Sequence, residues 1–317
     1  MNRNALKSFT HNARDFLSVT KTNYKQWVFR YTFLELEKDL AERGDITTQA
    51  TVDKDTAGKA LVVAEEDGVV AGIEEIKYFL VDSDPRFKPR VSEFKMKFFK
   101  EDGDKIKKGE EIFEISGSLA DILTVERVVL NLIMRMSGVA TYTSKFANTV
   151  KEYGTLVTPT RKTLWGLLDK KACTLGGGGT HRLNLNDAIL IKENHIEANG
   201  GSVANAVKKA SETDSEPRFI EVEVESSEQA LDAASALTSF VKDIPVCIMF
   251  DNMSAKEIEL ILAKMKEHGE FEDILFEASG GINEDTIVEY AKTGVDILSI
   301  GKLTTATPSL NFSLDLK

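Results

Sequence analysis

Residues 219–281 read FIEVEVESSEQALDAASALTSFVKDIPVCIMFDNMSAKEIELILAKMKEHGEFEDILFEASGG. Apolar runs at 219–224, 246–250 and 274–278 predict short strands, and the stretches between them, 227–238 and 254–268, carry helical spacing, the second with Ser254 as N-cap. The same alternation extends outward. Strands are expected at 155–160 and 188–192, with a helix at 202–212 before the quoted stretch. A helix at 284–293, closed by Gly294, and a strand at 296–300 follow it. Strands that alternate with helices pair in parallel through helical crossovers, so the choice lies between an open doubly wound sheet and a barrel. Six strands fall short of the eight of a complete (β/α)₈ barrel.

Upstream the pattern changes. KALVVAEEDGVVAG and EFKMKFFKEDGDKIKKGEEIFEISG read as strands broken by Asp-Gly turns at 67–68 and 102–103, as expected of an antiparallel α+β domain. DGDKIKKGE is similar to the turns of biotinyl and lipoyl carriers, but Lys95-Met96-Lys97 precedes that turn instead of occupying it, so a strand of alternating charge is the simpler reading. Residues 118–136 predict an apolar-faced helix joining the two parts. The expected division is an N-terminal domain at 1–140 and an α/β domain at 141–304, with the tail 305–317 packing back on the former.

With 317 residues and a net charge of -11, the chain reads as a soluble globular protein of one large or two modest domains. Its apolar runs are far shorter than the ~20 residues of a membrane span. The N-terminus lacks an apolar signal core; its basic, hydroxyl-bearing start faintly resembles a transit peptide but includes Asp15. The expectation is cytoplasmic. Cys173 and Cys247 lie in unrelated contexts and read as reduced packing residues.

Against the acidic background, residues 161–195 hold six Lys or Arg (161, 162, 170, 171, 182, 192) against three acids (169, 187, 193), plus His181 and His195. A local excess of this size suits a small polyanion, whereas nucleic acid calls for a broad basic face. On a barrel, chemistry gathers at the C-terminal strand ends. There the chain carries Arg161-Lys162, Lys192, Glu223, Asp251-Asn252, Ser279-Gly280-Gly281 and Ser299-Ile300-Gly301. Glycine loops after the last two strands, each leading into a helix, form a seat for a monophosphate. Glu221, Glu223 and Glu225 share one strand face, so some must point into the site or meet cations. Glu223 and Asp251 suit Mg²⁺, sugar hydroxyls or a developing ribose cation; a glycosidase pair is the competing use, and the surrounding cations weigh against it. The four glycines at 176–179 lack a P-loop ending and gain interest only from the His181-Arg182 that follows.

GDITTQATV, EEDGVVAG, ERVVLNLIMRMSGVAT, TRKT, GGGGTHR, DAILIKENHI, IEVEVES, MFDNMS, EASGGI and TGVDILSIGKLT, in this order over about 40–315, resemble the quinolinate phosphoribosyltransferase family, the decarboxylating nicotinate-nucleotide pyrophosphorylases. The resemblance implies an incomplete barrel of about six parallel strands with an α+β antiparallel-sheet domain. It also implies transfer of phosphoribose from phosphoribosyl pyrophosphate to quinolinate with Mg²⁺, giving nicotinate mononucleotide, pyrophosphate and CO₂. Thr160, Arg161, His181, Arg182 and Lys192 would bind substrate, joined by Arg127 from a partner subunit of a dimer or hexamer. Lys162 would face the pyrophosphate, Glu223 and Asp251 the ribose and metal, and Ser279, Gly280, Gly281 and Gly301 the 5′-phosphate. Trp165, Leu168, Thr180 and Thr305 depart from the family pattern, and the segment before the glycines is about two residues shorter by eye. They motivate two alternatives: a paralogue acting on another aromatic acid, or an anion-binding protein without turnover. No nucleic-acid or membrane partner is expected. A molybdenum-associated relative of similar architecture usually lacks the lysine that Lys192 supplies.

Overall fold

The computed structural model describes residues 2–53, 55–82, 93–267, 269 and 272–317. Ten strands carry the argument: β1 Ala57–Ala64, β2 Lys95–Phe98, β3 Glu111–Ser118, β4 Leu156–Thr158, β5 Ile189–Ile191, β6 Ile220–Val224, β7 Val246–Asp251, β8 Ile274–Ser279, β9 Ile297–Ser299 and β10 Phe312–Leu316. The chain divides into two compact units, one of residues 1–13, 145–164 and 177–306, the other of residues 14–144, 165–176 and 307–317.

In the first unit six parallel strands run in the order β4-β9-β8-β7-β6-β5. That is the cyclic order of a barrel, each strand beside the next and the first beside the last, with only the β4 to β5 link missing. All six expected strands are present, shortened by a residue or two at some ends. Their apolar runs follow from burial on both faces, since helices cover a parallel sheet. The helices at Val203–Ser211 and Ser227–Phe240 begin where Ser202 and Ser226 accept from the Asn205 and Gln229 N–H groups. In the second of these, Ala230, Ala233, Ala234 and Leu237 form the buried stripe. Ser254 and Glu257 cap each other reciprocally ahead of the helix Ala255–Glu267, as the N-cap reading expects; residue 268 lies outside the described residues.

The helix Arg3–His11 seals the N-terminal end of this sheet. Arg3 holds Asp296 through two 2.7 Å contacts and donates to the Ile274 carbonyl at 2.8 Å. Leu6 packs on the layer formed by Leu156, Cys247, Leu275 and Ile297. The sequence reading had assigned these first residues no part in the barrel, because one amphipathic turn carries no mark of the surface it will cover.

The second unit contains the antiparallel sheet β10-β1-β3-β2. Lys95-Met96-Lys97 lies in β2, where the lysines are exposed. The linking helix runs Leu119–Val150, well past the expected residue 136, and its residues from 145 onward belong to the other unit. Gly138 lies inside it because a Cβ there would meet the Pro308 carbonyl at 2.3 Å, so the glycine serves close approach and ends nothing. Asp102 is more than a turn residue: its carboxylate accepts the Gly72, Ile73 and Glu74 N–H groups at the start of a helix.

Candidate active site

Strand register builds the rim. Thr158, Ser299, Ser279 and Asp251 are aligned across β4, β9, β8 and β7, and Glu223 on β6 lies opposite Met249, two residues before Asp251. Thr158 and Ser299 present buried hydroxyls that form no hydrogen bond, a polar surface facing no protein partner. Ser299 belongs to the strand end Ser299-Ile300-Gly301 named from sequence, whereas Thr158 was not singled out; a lone hydroxyl at a strand end carries no signal until its register neighbours are known.

After β4, the Lys162 N–H donates to Thr160 Oγ1 at 3.0 Å and the Thr304 hydroxyl donates to the Lys162 carbonyl at 2.7 Å. A Cβ on Gly301 would stand 3.8 Å from Thr160 Oγ1 and 4.0 Å from Lys162 Cδ, so these two loops share one end of the sheet. After β8, Gly280 and Gly281 adopt φ of 93° and 66°. A Cβ on Gly280 would meet Asn252 Oδ1 at 2.2 Å and its backbone nitrogen at 2.8 Å, so the loops after β7 and β8 interlock only through glycine. Asn252, itself at φ 55°, donates from Nδ2 to Asp251 Oδ2 at 2.8 Å. One detail differs from the expectation: the helix after Gly281 starts only at Ile287 and the one after Gly301 has four residues, Lys302–Thr305. The loop backbones, more than long helix dipoles, are what a phosphate would meet.

Arg182 is almost fully buried, with Nη1 donating to the Ala188 carbonyl at 3.2 Å. Burial, then the charge of Arg161, lowers its pKa. Glu221, Asp187 and Glu223 act in the opposite direction, so Arg182 lies among both cationic and anionic neighbours. Lys192 forms an ion pair with Glu223. Burial raises the Glu223 pKa, Lys192 partly offsets this, and Asp251 and Glu221 add to it. Glu223 and Asp251 thus feel each other, the condition for sharing a cation.

The cationic cluster divides on folding. Lys170 and Lys171 are buried in the helix Leu167–Leu175 of the other unit, where Lys171 donates to Glu74 and the Leu17 carbonyl and Asp169 pairs with Arg135. His195 accepts the Lys192 N–H at Nδ1, capping a short helix Glu193–Glu197. Arg127, in that other unit, is exposed beside Glu126. Of the departing residues, Trp165 packs on Tyr31 and Leu168 is fully buried. Thr305 hydrogen-bonds the Gly301 carbonyl. Glu225 is exposed past the strand end, so the glutamate trio splits.

His181 sits at φ 51°. The Thr180 and His181 N–H groups donate to the His11 carbonyl at 2.6 and 3.3 Å, and a Cβ on Gly179 would meet that same oxygen at 2.3 Å. The glycine run is therefore a close-approach segment, not a flexible connector. Nδ1 of His181 accepts the Arg182 N–H at 2.7 Å, and Nε2 faces Glu221 at 3.2 Å and Glu277 at 3.4 Å. Its ring is turned to these two carboxylates, where the sequence reading had it facing substrate. Glu277 and His11 were missed; a glutamate in the middle of ILFEAS was the available signal, and His11 offered none.

A six-stranded α/β barrel whose rim gathers Arg161, Lys162, Arg182 and Lys192 around two carboxylates and two glycine loops belongs to an enzyme that handles small polyanions. Comparison with known proteins specifies which. The quinolinate phosphoribosyl transferase N-terminal domain matches residues 45–137 and the C-terminal domain residues 139–315. The chain belongs to this family. It is 38% identical over 280 residues to a probable nicotinate-nucleotide pyrophosphorylase of Methanothermobacter thermautotrophicus, covering 86% of this chain and 93% of that one. It is 35% identical over 296 residues to the mitochondrial quinolinate phosphoribosyltransferase 2b of Nicotiana tabacum, covering 89% and 80%. Among solved structures, the nicotinate-nucleotide pyrophosphorylase of Francisella tularensis superposes with a TM-score of 0.78 at 32% identity, over 92% of this chain and 96% of that one.

Proposed function

We propose that the protein transfers phosphoribose from phosphoribosyl pyrophosphate to quinolinate, forming nicotinate mononucleotide, pyrophosphate and CO₂ in NAD biosynthesis. The observation that carries the reading is the family match over residues 45–137 and 139–315, supported by the cations Arg161, Arg182 and Lys192. A planar dicarboxylate matches two guanidinium forks and a point charge; a monocarboxylate would leave part of that charge uncompensated. Thr160 lines the same loop. His181 orients the Arg182 backbone, and its part in substrate binding is one of positioning.

Chemistry needs little proton traffic before the bond forms. The pyridine nitrogen attacks C1′ as the C1′–O bond to pyrophosphate breaks, and positive charge grows on the ribose. Glu223 and Asp251 stabilise that charge, while Lys162 meets the departing pyrophosphate; placement and fixed charges supply the acceleration. Glu223 and Asp251 also fit Mg²⁺, as two mutually sensed carboxylates at the rim, and the ion when bound supplies charge neutralisation for the leaving group. Ser279, Gly280, Gly281 and Gly301, with the free hydroxyls of Thr158 and Ser299, receive the 5′-phosphate. The bond from ring C2 to its carboxylate then breaks, CO₂ leaves, and the electron pair stays on C2, held by the positive ring nitrogen until protonation.

Arg127 serves the site of a neighbouring subunit, so the working unit is a homodimer or a hexamer built from dimers. No described helix is long and apolar enough to cross a membrane. The helix Arg3–His11 packs on the barrel through Leu6, and the compartment we assign to the protein is the cytoplasm.

Steady-state assays of pyrophosphate and CO₂ release with quinolinate, nicotinate and other pyridine carboxylates test the reading. Turnover of another acid with none of quinolinate would replace it with the paralogue. Tight binding of both substrates without release of pyrophosphate would mark a binding protein.

A further inference from the structure

Below the rim, the barrel interior holds four ionisable side chains from four separate segments: His11 on the N-terminal helix, His181 after the glycine run, Glu221 on β6 and Glu277 on β8. All are buried, and their ligand-capable atoms lie within 4.8 Å of one another. His11 Nε2 stands 3.0 Å from Glu277 Oε2 and 3.9 Å from Glu221 Oε1. The opposite carboxylate oxygens, Glu277 Oε1 and Glu221 Oε2, face His181 Nε2. The two imidazoles, with the Cys247 thiol beside Glu221, are the partners that face these carboxylate oxygens. Two buried carboxylates are costly, their mutual repulsion adds to the cost, and facing imidazoles offset it only when protonated.

Proton placement separates the two histidines. The Thr10 hydroxyl donates to the Leu6 carbonyl at 2.9 Å, so the 2.8 Å contact between Thr10 Oγ1 and His11 Nδ1 is completed by a proton on Nδ1. With Nδ1 so protonated, Nε2 is the atom His11 offers the carboxylates, as an N–H donor in the ion-free site and as a lone-pair ligand once a cation displaces that proton. His181 has the reverse tautomer: Nδ1 accepts from Arg182, so the proton sits on Nε2 and points to the outer carboxylate oxygens. We propose that His11 Nε2, Glu221 Oε1 and Glu277 Oε2 form a buried divalent-cation site, suited to zinc, with the Nε2–H of His181 steering the two carboxylates from behind. Ligands at tetrahedral vertices about 2.0 Å from zinc stand roughly 3.3 Å apart, close to the two His11 separations. A dication also cancels both carboxylate charges, leaving a neutral core. Thr10 fixes the His11 ring as an outer hydrogen-bond partner fixes a ligating histidine. The site is separate from Glu223 and Asp251 and does not rest on phosphoribosyl transfer.

The test uses the full chain, purified without chelator and then stripped. Elemental analysis, Zn²⁺ titration against a chromophoric chelator, and the visible spectrum of Co²⁺-loaded protein are read for the wild type and for His11→Gln, Glu277→Gln and Thr10→Ala. One Zn²⁺ per chain is expected, retained against millimolar Mg²⁺, with ligand-field bands of a low-coordinate Co²⁺ site. His11→Gln and Glu277→Gln should weaken binding by a hundredfold or more. Thr10→Ala, which keeps every ligand and guards against misfolding of the other two, should weaken it about tenfold. Absence of saturable binding would overturn the proposal and leave a proton-shared histidine–glutamate cluster. So would binding abolished by Glu223→Gln but untouched by the folded Thr10→Ala and His11→Gln proteins.

Discussion

Replacing Lys192 with alanine removes a partly exposed ammonium that in this structure pairs with Glu223. Two consequences follow from that one contact. Loss of a charge-assisted contact to a quinolinate carboxylate costs about 1.5–3 kcal/mol, or roughly a ten- to 150-fold fall in kcat/KM. Glu223 then loses the Lys192 contact that holds its pKa down, while burial, Asp251 and Glu221 still push it up. If ionised Glu223 is the active form, the acid limb of the kcat/KM profile moves to higher pH in Lys192→Ala. The assay is initial-rate pyrophosphate release with quinolinate across pH 5 to 9 at saturating phosphoribosyl pyrophosphate. Unchanged kinetics at neutral pH would refute the placement of Lys192. A large loss with an unmoved acid limb would refute its hold on Glu223.

If Arg127 completes a neighbouring site, mixing an Arg127→Ala protein with a Lys192→Ala protein restores partial activity through hybrid dimers; no recovery despite demonstrated subunit exchange would rule out a shared site. Glu75 is fully buried, receives the Tyr24 hydroxyl at 2.5 Å, and is pushed up to about 8 by burial and then by Asp102. Its folded pKa exceeds the unfolded one, so its contribution to stability is complete below about pH 4.5 and is lost as pH rises toward 8, on the order of 3 kcal/mol by pH 7. Glu75→Gln should therefore flatten the fall of melting temperature between pH 5 and 8, and parallel wild-type and variant curves would contradict this.

The division of labour between sequence and tertiary structure can be followed in individual residues. Every one of the six parallel strands was readable, because each is a short, largely apolar run, broken only by Glu221, Glu223 and Glu277, whose end turns polar; the same logic marked Arg161, Lys192, Glu223 and Asp251. The linking helix continues past the expected residue 136 and through Gly138. The glycine's missing side chain matters only against the Pro308 carbonyl. Lys170 and Lys171 were indistinguishable by composition from Arg161 and Lys162, yet they are buried in different surroundings, since helical periodicity fixes which way a side chain points but not what it meets.

Local pattern thus determined the strands, their parallel order of crossover and the chemistry at their ends, because those are imposed by backbone hydrogen bonding and burial within a few residues. Only the folded chain decided that His11 would stand beside Glu221 and Glu277, more than 200 positions along the sequence. It also decided that His181 would turn to the same pair and that Lys192 would rest on Glu223. Electrostatic partnership depends on distance in space, and distance is what a linear sequence leaves unspecified.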